Sequence, residues 1–234
     1  MLDMLSDLTS MAWAAPSTET LSLPEQIAEQ ISNDIVTGHR APGSRVQEQE
    51  VADRFKVSRG PVREALRILE NRGLIQINAR KGAQVTKLSA AEVRQIFEIR
   101  INLAGLAARL TAENGDAAFI QKFTQGTQHF AKLAEAGGSL DECTAVSYRL
   151  NLMLAESSGN PFLRNIALSL ALQTLRYARL SFASEKYRQR SARTYKLLGK
   201  AIASGDSGSA QQAAEQLTRD ARDAAIECLD QKYL

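Results

Sequence analysis

The sequence predicts a mainly α-helical chain in two parts: an N-terminal winged helix-turn-helix and a C-terminal all-helical bundle of about six helices. Three observations carry this expectation. Up to residue 87 the patterns run helix, helix, turn, helix, hairpin. Nearly everything after that has helical periodicity. The positive charge is also concentrated in the first part: residues 1–39 hold six acids and no Lys or Arg, 40–87 hold eleven bases and five acids, and 88–234 hold eighteen bases and fifteen acids. The net charges are therefore −6, +6 and +3. Such a basic segment is the electrostatic footprint of a nucleic-acid-binding module, although a solvated face alone would give the same count.

In chain order, residues 1–20 show no sustained period and end in "APSTET", which predicts a flexible tail with Trp13 as an isolated apolar residue. The first helix begins near Pro24, where "PEQIAEQISNDIV" spaces Ile27, Ile31 and Ile35 four apart and proline is tolerated in a first turn. "GHRAPG" breaks it. "EQEVADRF" predicts a short second helix with Val51, Ala52 and Phe55 inward. In the third, Ser58 is an N-cap whose hydroxyl could accept from an orphan amide, and Pro61 falls at the third helical position. At 100° per residue, Val62, Ala65, Leu66 and Leu69 share one face, and Arg59, Arg63 and Arg67 form a stripe beside it. "NRG" ends this helix, and "LIQIN" and "AQVT" read as a hairpin joined through "ARKG", with Gly82 supporting the turn. The DNA-binding domain is thus expected over 21–87 and a helical domain over 88–234. The latter opens with the S-x-x-E capping box of Ser89 and Glu92, and "AGGS", "SSGNP" and "SGDSGS" punctuate its helices. Such a bundle can enclose a small-molecule cavity.

Composition narrows the function classes. The 234 residues, 44% hydrophobic and 24% charged, are ordinary for a folded chain with a sizeable core. No run approaches the roughly 18 apolar residues of a membrane span, and the first 20 residues carry Asp3 and Asp7 without a base, so a cytoplasmic protein is expected. Cys143 and Cys228 lack C-x-x-C spacing and read as packing residues. His39 and His129 are the only histidines, and neither sits in a nucleophile or metal pattern. No G-x-S-x-G, P-loop, Rossmann or H-E-x-x-H motif occurs, so no catalytic residue and no cofactor are assigned.

Residues 51–85, "VADRFKVSRGPVREALRILENRGLIQINARKGAQV", resemble the winged-helix signature of the GntR family of bacterial transcription regulators. "IFEIRINLAGLAARLTA", "LNLMLAESSGNPFL" and "AIASGD" resemble the FCD effector domain of its FadR subgroup. The resemblance implies a homodimer that binds an inverted-repeat operator on double-stranded DNA, usually as a repressor, with affinity modulated by a small organic acid in the helical domain.

Carried over by position, it implies DNA contacts from Ser58, Arg59, Gly60 and Arg63 at the start of the recognition helix and from Arg80, Lys81 and Gly82 at the wing tip. Arg59 is the candidate for base readout, because a guanidinium can bond guanine O6 and N7 together; Ser58 and Arg63 suit phosphates. Gln49 stands where many members have arginine, so one positive contact is lost or replaced by an amide able to pair with adenine. Many FCD domains also bind a divalent metal through an aspartate and three histidines. The corresponding positions hold Ser147, Asn151 and Tyr195, with no histidine around Leu217–Asp220, so no metal is expected. Ser147, Asn151 and Tyr195 could instead hydrogen-bond a ligand directly, or merely satisfy one another in the core. Arg100, in "FEIR", matches a family arginine that holds an effector carboxylate. Two competing readings are a constitutive DNA binder whose helical domain serves only dimerisation, and a helical enzyme.

Overall fold

In the computed structural model, which describes residues 21–80 and 82–232, the first helix, α1, runs Leu23–Thr37. The expected tail 1–20 and Lys81 lie outside the described residues. At its start the Ser22 N–H donates to Glu25 Oε2 at 2.8 Å, and Ile27, Ile31 and Ile35 are buried, as their spacing requires. Helix α2 (Glu48–Phe55) buries Val51 and Ala52, whereas Phe55 is only half-buried, a correction to its expected inward position. The helix is only eight residues long, and Phe55 sits in its last turn with the Arg54 guanidinium over its ring, 5.2 Å from the centroid. Lys56 then takes the left-handed conformation, φ 56°, and the Val57 N–H donates to the Ala52 carbonyl at 3.0 Å. This closes α2 and turns the chain into α3 (Arg59–Asn71).

Helix α3 buries Val62, Ala65, Leu66 and Leu69 and packs on α1, leaving Arg59, Arg63 and Arg67 exposed. Ser58 occupies the cap position with extended backbone, φ −71° and ψ 166°, but its side chain makes no capping bond. The expected capping is corrected here, and the reason lies three residues on: a cap hydroxyl bonds the second or third helical amide, and Pro61 has no N–H to give. Strands β2 (Ile75–Asn78) and β3 (Gly82–Val85) form the hairpin, with Asn78 opposite Gly82, whose φ of 71° favours glycine. A strand absent from the sequence reading, β1 (Arg45–Val46), pairs antiparallel with β3 and completes a sheet of order β1-β3-β2. Two residues are too few to show an alternating pattern.

The described residues divide into two compact units between Leu88 and Ser89. The second unit has six helices: α4 (Ala90–Asn114), α5 (Ala117–Glu135), α6 (Leu140–Ser157), α7 (Pro161–Ser181), α8 (Glu185–Ala203) and α9 (Ser207–Lys232). Side-chain caps from Ser89, Asp116, Ser139, Asn160 and Ser184 set the starts of α4 to α8. Helix α9 packs on α4 and α8, α5 packs on α8, and α6 on α7. Their core is aromatic: the Phe130 ring lies 4.7 Å from Tyr195 and 5.9 Å from Phe182 between centroids, with Leu150, Leu198 and Ile202 around them. At the α5–α8 contact, a Cβ on Gly199 would fall 2.5 Å from Thr127 Oγ1, so only glycine lets the two helices approach this closely. The box at α4 is complete, with Glu92 N–H donating to Ser89 Oγ at 3.2 Å and Ser89 N–H to Glu92 Oε2 at 2.8 Å. Ser89→Ala should therefore lower the stability of the helical unit by about 1 kcal/mol, measured by denaturant melting.

Candidate nucleic-acid interface and helical-domain cavity

The interface candidates lie at one end of the helix-turn-helix, where α2 and the start of α3 bring side chains distant in sequence together. Arg59, the first residue of α3, donates from Nε at 2.9 Å and Nη2 at 2.6 Å to Gln49 Oε1, and Gln49 Nε2 donates to Asp53 Oδ1 at 2.7 Å. One turn further along, Arg63 Nε donates to Glu48 Oε2 at 2.9 Å, and Arg67 Nη1 donates to Glu64 Oε1 at 2.9 Å. The three arginines are thereby distinguished. Arg63 and Arg67 pair with carboxylates, in exposed contacts that contribute little to stability. Arg59 is held by a neutral amide and has no carboxylate partner among the described residues, so its charge is the least compensated of the stripe.

Gly60 is exposed, and a Cβ there would meet only Ser58 Oγ at 3.9 Å, so another backbone could approach this helix start closely. Arg80 is exposed in the hairpin turn beside Gly82. Arg54 on α2 pairs with Asp34 on α1, and Arg40, in the turn after α1, bonds Glu50 on α2 at 2.6 Å. The pairings of Arg59 with Gln49, Arg63 with Glu48, Arg40 with Glu50 and Arg54 with Asp34 were not visible in the sequence, because the partners lie 10 to 20 residues apart.

The helical unit contains a cavity of about 40 Å³ between α4, α6, α7 and α9. Alanine and leucine make most of its wall, and Arg100, Tyr148, Asn151 and Thr218 supply its polar groups. Arg100 is half-buried, donates from Nη1 to Thr174 Oγ1 at 2.7 Å and lies over the Phe97 ring, 4.6 Å from the centroid. It has no carboxylate partner among the described residues. Desolvation pushes its pKa down to about 10, partly opposed by Tyr187, Tyr148 and Tyr195, so it remains charged at neutral pH.

Asn151 lines this cavity, whereas Ser147 and Tyr195 do not. Their hydroxyls bond each other at 2.8 Å, and Asn151 Nδ2 donates to the Ser147 carbonyl at 2.8 Å. Burial pushes the Tyr195 pKa up to about 12, against the hydrogen bonds from Ser147 and Asn151 that lower it. This donor set of neutral hydroxyls and an amide, already bonded to one another, does not fit a divalent metal. On α9, Asp220 is buried, forms an ion pair with Arg190 at 3.0 Å and accepts a hydrogen bond from Gln216 Nε2 at 2.9 Å. Tyr148, Thr174 and Thr218 are here without having been expected from the sequence. Tyr148 stands three residues before Asn151 on the same helix face and was legible; Thr174 comes from α7, 74 residues from Arg100.

A helix-turn-helix with an exposed basic leading edge and a hairpin wing, linked to an all-helical unit with a charged cavity, defines a two-domain DNA-binding transcription regulator. The chain belongs to the GntR family: residues 23–85 match the family described as bacterial regulatory proteins, gntR family, and residues 95–220 match the FCD domain. It is 32% identical to the HTH-type transcriptional regulator YdhC of Bacillus subtilis over 141 residues, 60% of this chain and 63% of YdhC. It is 29% identical to LutR of the same organism over 200 residues, 76% of this chain and 90% of LutR. With the HTH-type transcriptional repressor RspR of Escherichia coli it shares 43% identity over 93 residues, 40% of this chain and 41% of RspR. The chain thus spans less than two thirds of the length of YdhC and RspR. Among solved structures, Escherichia coli McbR/YncC has the same fold, with TM-score 0.75 at 20% identity over 92% of this chain and all of that one. Among the described residues, no helix is long and apolar enough to cross a membrane.

Proposed function

We propose that the protein is a cytoplasmic repressor that binds an inverted-repeat operator as a homodimer, with its affinity modulated by a small organic acid in the helical domain. The observation that carries the ligand reading is Arg100: a half-buried, charged guanidinium in a cavity wall, without a carboxylate partner among the described residues. A partly buried charge without a counter-charge is costly, and a ligand carboxylate would relieve that cost in a directional contact. Asn151 would add an amide contact from the cavity wall, with Ser147 and Tyr195 fixing its orientation. The repressor role draws on the likeness to RspR.

On DNA, Arg59 reads a base edge, while Ser58, Gly60 and Arg63 hold phosphates at the amide-rich start of α3. Arg80, Lys81 and Gly82 place the wing against the backbone. Coupling between the two sites of about 1–3 kcal/mol would change operator affinity roughly 5- to 150-fold.

The test is a titration of short carboxylic acids against operator-bound protein. Affinity that stays constant with every acid that binds the helical domain would leave a constitutive binder, and turnover of a bound acid would mark an enzyme. If Arg63 holds a phosphate, Arg63→Ala should weaken binding about equally on all sequences and make the log–log salt slope shallower by about 1, as read by anisotropy. An unchanged slope would remove it from the contact set.

A further inference from the structure

Gln49 stands where a direct DNA contact is expected, yet both ends of its carboxamide are occupied within the protein. Its Oε1 accepts two hydrogen bonds from Arg59, and its Nε2 donates to Asp53. The amide orientation is fixed by this chain of contacts. Reversed, it would set an NH2 group against a guanidinium and an oxygen against a carboxylate.

The two bonds to Arg59 engage a particular edge of the guanidinium, the side formed by Nε and Nη2. Of its five N–H groups, the two on Nη1 and the second on Nη2 remain, and they point away along the end of the fork. That end can bond guanine O6 and N7 together.

We infer that Gln49 is a positioning residue rather than a base reader: held by Asp53, it fixes Arg59 so that the Nη1–Nη2 end of the guanidinium meets guanine in the major groove. This rests on the assignment of Arg59 to base readout made above. A long side chain on a bare surface samples many rotamers and loses that freedom on binding, whereas one already held by two bonds loses less. An arginine at position 49 could not serve in this way, because it offers only donors to another donor.

The experiment selects binding sites from a randomised DNA duplex with the full chain and with Arg59→Ala, Gln49→Met, Gln49→Glu and Asp53→Ala. Met matches the length and helix propensity of Gln but lacks the amide acceptor, and residue 49 is exposed, so folding should be unaffected. A thermal melt of each variant checks this. The wild type should enrich guanine at a defined position of each half-site, the one that Arg59→Ala loses. Gln49→Met and Asp53→Ala should lower the guanine preference at that same position roughly 3- to 10-fold, the scale of immobilising one long side chain. Gln49→Glu, which keeps an acceptor, should retain the preference even while its negative charge weakens binding to every duplex. Full guanine preference in Gln49→Met, or a changed preference at a different base pair, overturns the inference and makes Gln49 a reader itself or a bystander. Failure of the wild type to enrich any sequence would overturn the base-readout assignment together with it.

Discussion

Arg59→Ala should cost about 1–3 kcal/mol of discrimination between operator and random DNA, the scale of one lost bidentate guanine contact. Arg59 is the first residue of α3, it is exposed, and no carboxylate among the described residues compensates its charge. A residue at the leading end of a recognition helix is the one that reaches base edges, whereas Arg67 lies two turns further in and is tied to Glu64. The measurement is a pair of affinities, on a selected site and on random duplex at the same salt concentration. A drop confined to the selected site supports base readout. An equal drop on both would make Arg59 a phosphate contact like that proposed for Arg63. The fold should not suffer, because the face that anchors α3 is Val62, Ala65, Leu66 and Leu69.

Arg100→Met should abolish the response to carboxylic acids while leaving basal DNA affinity within about two-fold, a change outside the range of the proposed coupling. It should also leave the melting temperature of the ligand-free protein unchanged or higher. The second expectation follows from the direction of the pKa shift. Burial pushes the Arg100 pKa down to about 10, below that of a free arginine, so the folded state holds this proton less tightly than the unfolded state does. The penalty is therefore fully present at every pH below about 10 and is relieved only as pH rises through that value. At neutral pH it is a standing cost, which an apolar side chain of similar length removes. Thr174 loses one hydrogen-bond donor, but its hydroxyl still donates to the Leu170 carbonyl at 2.8 Å. A marked loss of stability would make Arg100 a structural residue. A retained ligand response would move the site elsewhere.

The winged helix and the six-helix count were legible because they depend on short-range patterns. Apolar spacing in α3 gave all four buried residues, and Ser89 with Glu92 marked the start of α4. The short β1 was not legible, because its identity comes from pairing with β3 nearly 40 residues later. Ser58 fits a cap by residue type, but Pro61 removes one of the amides it would have bonded. Ser147, Asn151 and Tyr195 could be placed by resemblance. Whether each faced a ligand or a neighbour depended on how α6 and α8 met: Tyr195 put its ring into the aromatic core and its hydroxyl on Ser147, leaving Asn151 on the cavity wall.

By itself, the sequence determined which segments are helices, which face of each is apolar, and where the positive charge gathers, since helical period, capping chemistry and charge are local properties of the chain. The tertiary structure decided which polar side chains bond one another and which line the cavity. Gln49 meets Arg59 across the helix-turn-helix, Ser147 meets Tyr195 across 48 residues, and Arg100 meets a threonine but no carboxylate among the described residues. Hydrogen bonds reach only about 3 Å, so the partner of a buried polar group is fixed by helix packing, which brings residues far apart in sequence within that distance.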